Sequence, residues 1–361
     1  MREISYYVNV AKKLGFKKTM SLGLTRVLNA SYPATIDIEI MSMCNLKCRH
    51  CRVTYYGNVI QDVEPAFMGL DRFQAILDRI APLVKKAQFF QFSTVEPLFH
   101  KDLFNMMDAV ALYNKDIEFP LLSNGMLLTE TNIRNLMGRN VPSISISLDG
   151  CKKETVESFK TNTDFDRVVG NIRLLRKLGH AGIEIRVVFV ATNHNIHELV
   201  EYVDFCAALG VDRILVNGFQ SFLPENAHRY LYSEQGNPGA QEIFQRAYER
   251  AKRRNIGIEF PSLIARPAGC GSFSTMTINE SGDVSPCILL ARKTPFELFQ
   301  RSATSTTVIW GNVFRDDPRS VWTSREAVQF RAMLKKRVIP AACTLCPDAY
   351  GVICSNRRSK L

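Results

Sequence analysis

The sequence predicts an α/β protein of parallel strand–helix units, followed by a smaller C-terminal segment rich in cysteine. Two observations predict it. Short apolar, β-branched runs alternate with helical periods from residue 35 to about residue 216, the pattern of consecutive βα units. Eight of the ten cysteines, moreover, fall into two groups at the two ends of that alternation.

The elements follow in order. Thr35–Ile40 reads as a first strand and Gln88–Phe92 as a second, with a helix near Lys101–Tyr113. Ile117–Leu122 is a third strand, with a helix near Glu130–Met137. Ser143–Leu148 is a fourth, before a helical period over Phe165–Leu178. Gly182–Val190 is a β-branched fifth strand, followed by an amphipathic helix from Ile196 to Leu209, and Val211–Val216 is a sixth. Residues 240–255 read as a connecting helix and Gly257–Phe260 as a short strand. Residues 276–287, MTINESGDVSPC, read as a hairpin turning at Gly282.

Composition fits a globular chain: 361 residues, 46% hydrophobic and 22% charged. No apolar run approaches the roughly 18 residues of a membrane span, and the N-terminus has no apolar signal core. A cytoplasmic protein is expected. The final Ser359-Lys360-Leu361 spells a peroxisomal address, a tripeptide that arises easily by chance. The formal charge of +11 is spread along the chain. It suits a solvated basic surface or an anionic partner, and no aromatic-basic module suggests nucleic acid.

Cys44, Cys48 and Cys51 lie within MSMCNLKCRHC, whereas Cys270, Cys287, Cys343, Cys346 and Cys354 lie towards the C-terminus. Without a signal segment, such groups point to metal or redox chemistry before disulfides. Structural zinc wants four ligands; three cysteines on a [4Fe–4S] cube leave one iron open, as a catalytic centre requires. A zinc site completed by His50, or a C-terminal zinc ribbon, is the alternative. Cys206 on an apolar helix face reads as a packing residue, and Cys151 after the fourth strand reads as an ordinary loop or helix-start position, a place facing the cavity being the alternative. His194 and His197 need not be ligands.

Cys44-x3-Cys48-x2-Cys51 after a strand resembles the signature of the radical S-adenosylmethionine (SAM) superfamily. The resemblance implies a partial (β/α)6 barrel whose open iron chelates SAM, releasing a 5′-deoxyadenosyl radical that abstracts a substrate hydrogen. It places His50 beside the adenine. Thr94-Val95-Glu96-Pro97 resembles the family's Gly-Gly-Glu-Pro motif without its glycines, with Glu96 receiving the SAM amino group and Thr94 beside it. Ser123-Asn124-Gly125 resembles the third-strand turn and Ser147-Leu148-Asp149-Gly150 the fourth-strand motif, with Ser147 contacting SAM. Arg186 falls where the family places a basic partner for the SAM carboxylate or the substrate; a structural salt bridge is the other reading. Tyr55 and Tyr56 either line the substrate mouth or pack over the cluster loop.

The C-terminal order of Cys270, Cys287, Cys343 and Cys346 resembles the SPASM or twitch extension. These four are the implied ligands of one auxiliary [4Fe–4S] cluster serving as an electron relay, with Cys354 a possible replacement. The implied organisation is a basic helical extension over 1–33 and the barrel over 34–235. A connecting helix and strand over 236–262 and an auxiliary domain over 263–361 complete it. The implied activity oxidises or cross-links a small molecule of sugar or aminocyclitol type. The partner is an electron donor of the flavodoxin or ferredoxin type. A peptide or protein maturase is the alternative within the family, and a non-catalytic iron–sulfur or zinc protein the alternative outside it.

Overall fold

A computed structural model describes residues 31–48, 51–55, 66–92, 95–180, 182–222 and 224–352. Seven parallel strands follow one another in chain order: β1 (Thr35–Ile38), β2 (Phe89–Phe92), β3 (Leu121–Ser123), β4 (Ser143–Ser147), β5 (Glu184–Ala191), β6 (Arg213–Gly218) and β7 (Gly257–Glu259). Their crossovers are α1 (Leu70–Val84), α2 (Leu103–Tyr113), α3 (Glu130–Met137), the pair α4 (Lys153–Phe159) and α5 (Phe165–Leu178), α6 (Leu199–Ala208) and α7 (Pro238–Arg254). This is the partial (β/α)6 barrel, with a further strand at the β6 edge.

Alternation along the strands builds the two faces. Ile36, Ile38, Ile144, Ile146, Ile185, Val187, Phe189, Ile214 and Val216 are wholly buried under the helices. The alternate residues lie on the opposite, inner face, where the polar Asp37, Gln91, Ser145, Ser147, Arg186, Arg213 and Asn217 mix with the apolar Val188, Val190 and Leu215.

Three features differ from the sequence reading. The third strand is split: Glu118 bridges to Phe89 of β2, whereas β3 begins only at Leu121. Pro120 between them has no N–H to give a ladder. The short strand after α7 pairs parallel with β6, Arg213 opposite Gly257, and so extends the barrel as β7. A fifteen-residue helix, α1, stands between β1 and β2 where none was read; Phe73, Ile76, Leu77, Ile80 and Val84 bury its inner face.

The C-terminal part is β8 (Thr275–Ile278), β9 (Asp283–Ser285), the hairpin β10 (Pro295–Leu298) and β11 (Arg301–Thr304), β12 (Gly311–Asn312), α8 (Pro318–Thr323) and α9 (Arg325–Lys335). The expected hairpin is β8–β9. β8 also pairs parallel with β1, Thr35 opposite Thr275, so one sheet runs β12-β9-β8-β1-β2. The last of the described residues also meets the barrel. Gly218 at the end of β6 donates its amide to the Val352 carbonyl at 2.9 Å. A Cβ there would lie 2.1 Å from that oxygen, so only glycine fits.

Candidate active site

Residues 41–48 follow the C-terminal end of β1, and residues 51–55 fold back against them. The Cys51 amide donates to the Cys48 carbonyl at 3.0 Å and the Thr54 hydroxyl to the same carbonyl at 2.8 Å. The Lys47 amide ties the loop to the Thr161 carbonyl at 3.2 Å. Cys44, Cys48 and Cys51 are all free thiols, each half-buried. Burial pushes the thiols up, Cys48 to about 12, and each repels the ionisation of its neighbours.

Backbone donors oppose that burial. The Leu46 amide reaches Cys44 Sγ at 3.4 Å, and the Val53 and Thr54 amides favour the Cys51 thiolate. Three clustered thiols, each partly desolvated and two held by N–H donors, form a donor set that fits a thiolate-ligated cluster. Among the described residues no three Cys, His, Asp or Glu side chains converge on one point as the ligands of a single ion would; a cube spreads its thiolates over separate corners.

The neighbouring strand ends meet this loop. Glu96, buried past β2, accepts from the Leu98 amide at 3.3 Å, the Ser123 hydroxyl at 2.9 Å and the Asn124 amide at 2.6 Å. Burial raises its carboxyl to about 7, and those donors pull it back. A carboxylate offers about four acceptor positions, so about one remains. Asn124 donates to Asn45 Oδ1 at 2.8 Å, pinning the cluster loop to the end of β3. Ser123 spends its hydroxyl on Glu96 and the Gly125 amide, and is a support for that turn.

At the end of β4 the structure adds a residue that the sequence reading missed. Lys160, just past α4, is buried and donates to the Ser147 carbonyl at 2.6 Å and the Ser147 hydroxyl at 2.8 Å. Its third partner is Asp149 at 3.0 Å. The same ammonium favours the thiolates of Cys48 and Cys51. All three donors of the amine are used, so Ser147 Oγ accepts from Lys160 and keeps its own proton to give. A lone lysine at a helix end carries no sequence signal of burial. Arg186 stands elsewhere: it faces Ser145, one pleat deeper in the lumen than Ser147, and pairs with Glu184. Glu184 also binds Arg213 at 2.7 Å, and Arg213 binds Glu259 at 2.9 Å, forming a charged ladder along the inner face.

Cys206 is buried on α6 as a packing residue. Cys151 has its amide 2.9 Å from the buried Glu198 carboxylate, which the sequence reading did not single out. Burial and that carboxylate push the Cys151 thiol up to about 12. His50, Thr94, Tyr56, Cys354 and residues 1–30 lie outside the described residues.

The second thiol group assembles from three distant segments. Cys270, Cys287, Cys343 and Cys346 line one cavity of about 490 Å³, with Asp348 beside them and Asp37 of β1 on the barrel side. The Ala268 and Gly269 amides bond the Ala349 carbonyl at 2.8 and 3.2 Å, holding the Cys270 loop against the Cys343–Cys346 turn. Burial and mutual repulsion raise the thiols, Cys287 to about 12, against amide donors from Leu289 and Leu290. Four thiols around one cavity, with N–H donors, fit a fully ligated cluster.

Gly269 sets where Cys270 lies. Its φ is +66°, and a Cβ would meet the Leu334 carbonyl oxygen at 2.2 Å. Gly269→Ala is therefore expected to displace Cys270 and lower the iron content by about four per chain, with the barrel's iron retained; iron analysis after anaerobic reconstitution checks it.

The architecture and both thiol groups define a SAM-dependent iron–sulfur protein, and comparison with known proteins agrees. Residues 38–206 match the radical SAM superfamily, and residues 270–347 match SPASM, an iron–sulfur cluster-binding domain. The chain belongs to the radical SAM superfamily and carries a C-terminal SPASM domain. Its cofactors are accordingly SAM, a SAM-binding [4Fe–4S] cluster and an auxiliary iron–sulfur cluster.

One relative is the tungsten-containing aldehyde ferredoxin oxidoreductase cofactor-modifying protein of Pyrococcus furiosus, 24% identical over 86% of this chain and 86% of that one. Another is an AdoMet-dependent heme synthase of Methanosarcina barkeri, 25% identical over 91% of this chain and 92% of that one. Among solved structures, Streptococcus suis SuiB bound to SAM has a TM-score of 0.62 at 17% identity, covering 92% of this chain and 78% of that one. That likeness shows the fold. No helix among the described residues is long and apolar enough to cross a membrane.

Proposed function

We propose that this protein cleaves SAM reductively and uses the resulting radical to abstract hydrogen from a small polar molecule of cofactor or cofactor-precursor type. The observation that carries the reading is the meeting of three groups at the C-terminal strand ends: the Cys44–Cys48–Cys51 loop, the Glu96–Asn124 turn and the Ser147–Lys160 pair. Active sites of such barrels sit at that end. Cys44, Cys48 and Cys51 would hold the cluster, which with SAM bound would supply the one-electron chemistry that generates the hydrogen-abstracting radical. The remaining acceptor position on Glu96 takes the SAM ammonium. Ser147, held in place by Lys160, donates to the SAM carboxylate.

Arg186 belongs instead to the ladder with Glu184, Arg213 and Glu259, which lies at the N-terminal ends of β5 and β6. Cys270, Cys287, Cys343 and Cys346 would hold the auxiliary cluster, which would supply an acceptor for the electron of the substrate radical. β1, which leads into the first thiol loop, pairs with β8, which lies between Cys270 and Cys287, so one sheet links the two sites. An electron donor of flavodoxin or ferredoxin type and a cytoplasmic setting complete the proposal.

Support for a small molecule comes from the names of broadly covering relatives: a cofactor-modifying protein, a heme synthase and a GTP 3′,8-cyclase of Aliarcobacter butzleri. The narrower sugar or aminocyclitol expectation has no comparable support. The test is 5′-deoxyadenosine formation from SAM and dithionite by the reconstituted protein. Product from the wild type and none from Cys48→Ala is expected; no product from fully loaded wild type overturns the proposal.

A further inference from the structure

Arg52 immediately follows Cys51, and Ile288 immediately follows Cys287. The Arg52 side chain crosses from the first loop to the second and donates from Nη1 to the Ile288 carbonyl at 3.0 Å, across 236 residues of sequence. It is 5% exposed. The second loop answers in kind. Arg292, five residues beyond Cys287, reaches Glu39 at 2.6 Å at the exit of β1, and Glu280 at 2.7 Å. Each thiol loop thus sends one buried arginine into the other's support.

We propose that Arg52 is a positioning residue that couples the two cluster sites, its guanidinium setting the electrostatics of the Cys51 side while its hydrogen bond fixes the peptide dipole beside Cys287. This rests on reading the two thiol groups as cluster ligands. A buried cation beside a thiolate-held cluster favours the more negative, reduced state, and removing it lowers the potential. Little water screens the charge at that depth. The Ile288 carbonyl, held by the guanidinium, keeps its dipole in a fixed orientation next to Cys287. Arginine suits the task because its planar fork is pre-organised and always charged; a lysine supplies a shorter point charge. A purely structural arginine would affect loading or stability and leave the potentials of loaded clusters in place.

The test is an EPR-monitored redox titration of reconstituted wild type, Arg52→Gln and Arg52→Lys, with iron counted in each. Arg52→Gln is expected to lower the potential of the SAM-binding cluster and to shift that of the auxiliary cluster as well. Arg52→Lys is expected to keep the first near its wild-type value and still shift the second. Should Arg52→Gln fail to load, the Lys variant carries the comparison by itself. An auxiliary potential that stays put in the loaded variants overturns the coupling. A wild type that binds far fewer than about eight irons instead overturns the ligand reading beneath it.

Discussion

Lys160→Met should destabilise the iron-free protein by about 3–5 kcal/mol, the cost of stranding a buried charge whose partner has gone. Asp149 is 1% exposed and Lys160 3%. Asp149 Oδ1 is already engaged by the Val190 amide at 2.8 Å, so its charge is fixed at the junction of β4 and β5. Removing the ammonium leaves that carboxylate in the barrel wall with no cation and leaves the Ser147 hydroxyl without its anchor. SAM affinity should fall about tenfold or more, the loss of one well-aligned bond to a charged group. Denaturant unfolding of the apo protein and SAM binding to the loaded one measure the two effects. A stability change within about 0.5 kcal/mol, the range of an ordinary surface substitution, would contradict the assigned role.

The second large effect is expected at Arg292. Arg292→Met leaves Glu39, 1% exposed, without its guanidinium at the exit of β1. The penalty is again about 3–5 kcal/mol at neutral pH. It carries a pH signature. Burial already raises the Glu39 carboxyl above its ordinary value, with Arg292 pulling it back. Loss of Arg292 raises it further, so the folded variant binds more protons than its unfolded chain. Its stability is therefore highest in acid, where Glu39 is neutral, and falls as pH rises from the ordinary carboxylate range through the folded value. Adding Glu39→Gln should remove that slope and recover part of the loss. Unfolding midpoints at several pH values test both statements.

The sequence made the barrel legible because its signals are local. Strand ends and helical periods such as Glu130–Met137 and Phe165–Leu178 are written in neighbouring residues, and both elements stand where they were read. The cysteine spacing located both thiol groups for the same reason. What escaped depends on distance. Nothing near Thr275 announces that it pairs with Thr35, because a parallel register between segments 240 residues apart has no local trace. Lys160, Arg52 and Glu198 look like surface charges until tertiary packing buries them. Arg186 shows the converse, for its strand position was read correctly, while its partner Glu184 and its depth relative to Ser147 emerge only from the sheet register. Helix α1 was legible in principle: its buried positions repeat at three- and four-residue spacing.

The central claim is that two separate thiol groups each hold a cluster. Iron and acid-labile sulfide should be counted after anaerobic reconstitution in wild type, Cys48→Ala and Cys346→Ala. The account predicts about eight irons in the wild type and about four in each variant, with SAM-dependent EPR changes surviving only where Cys48 is intact. Bound zinc in place of iron, or an iron content that neither substitution lowers, would contradict it.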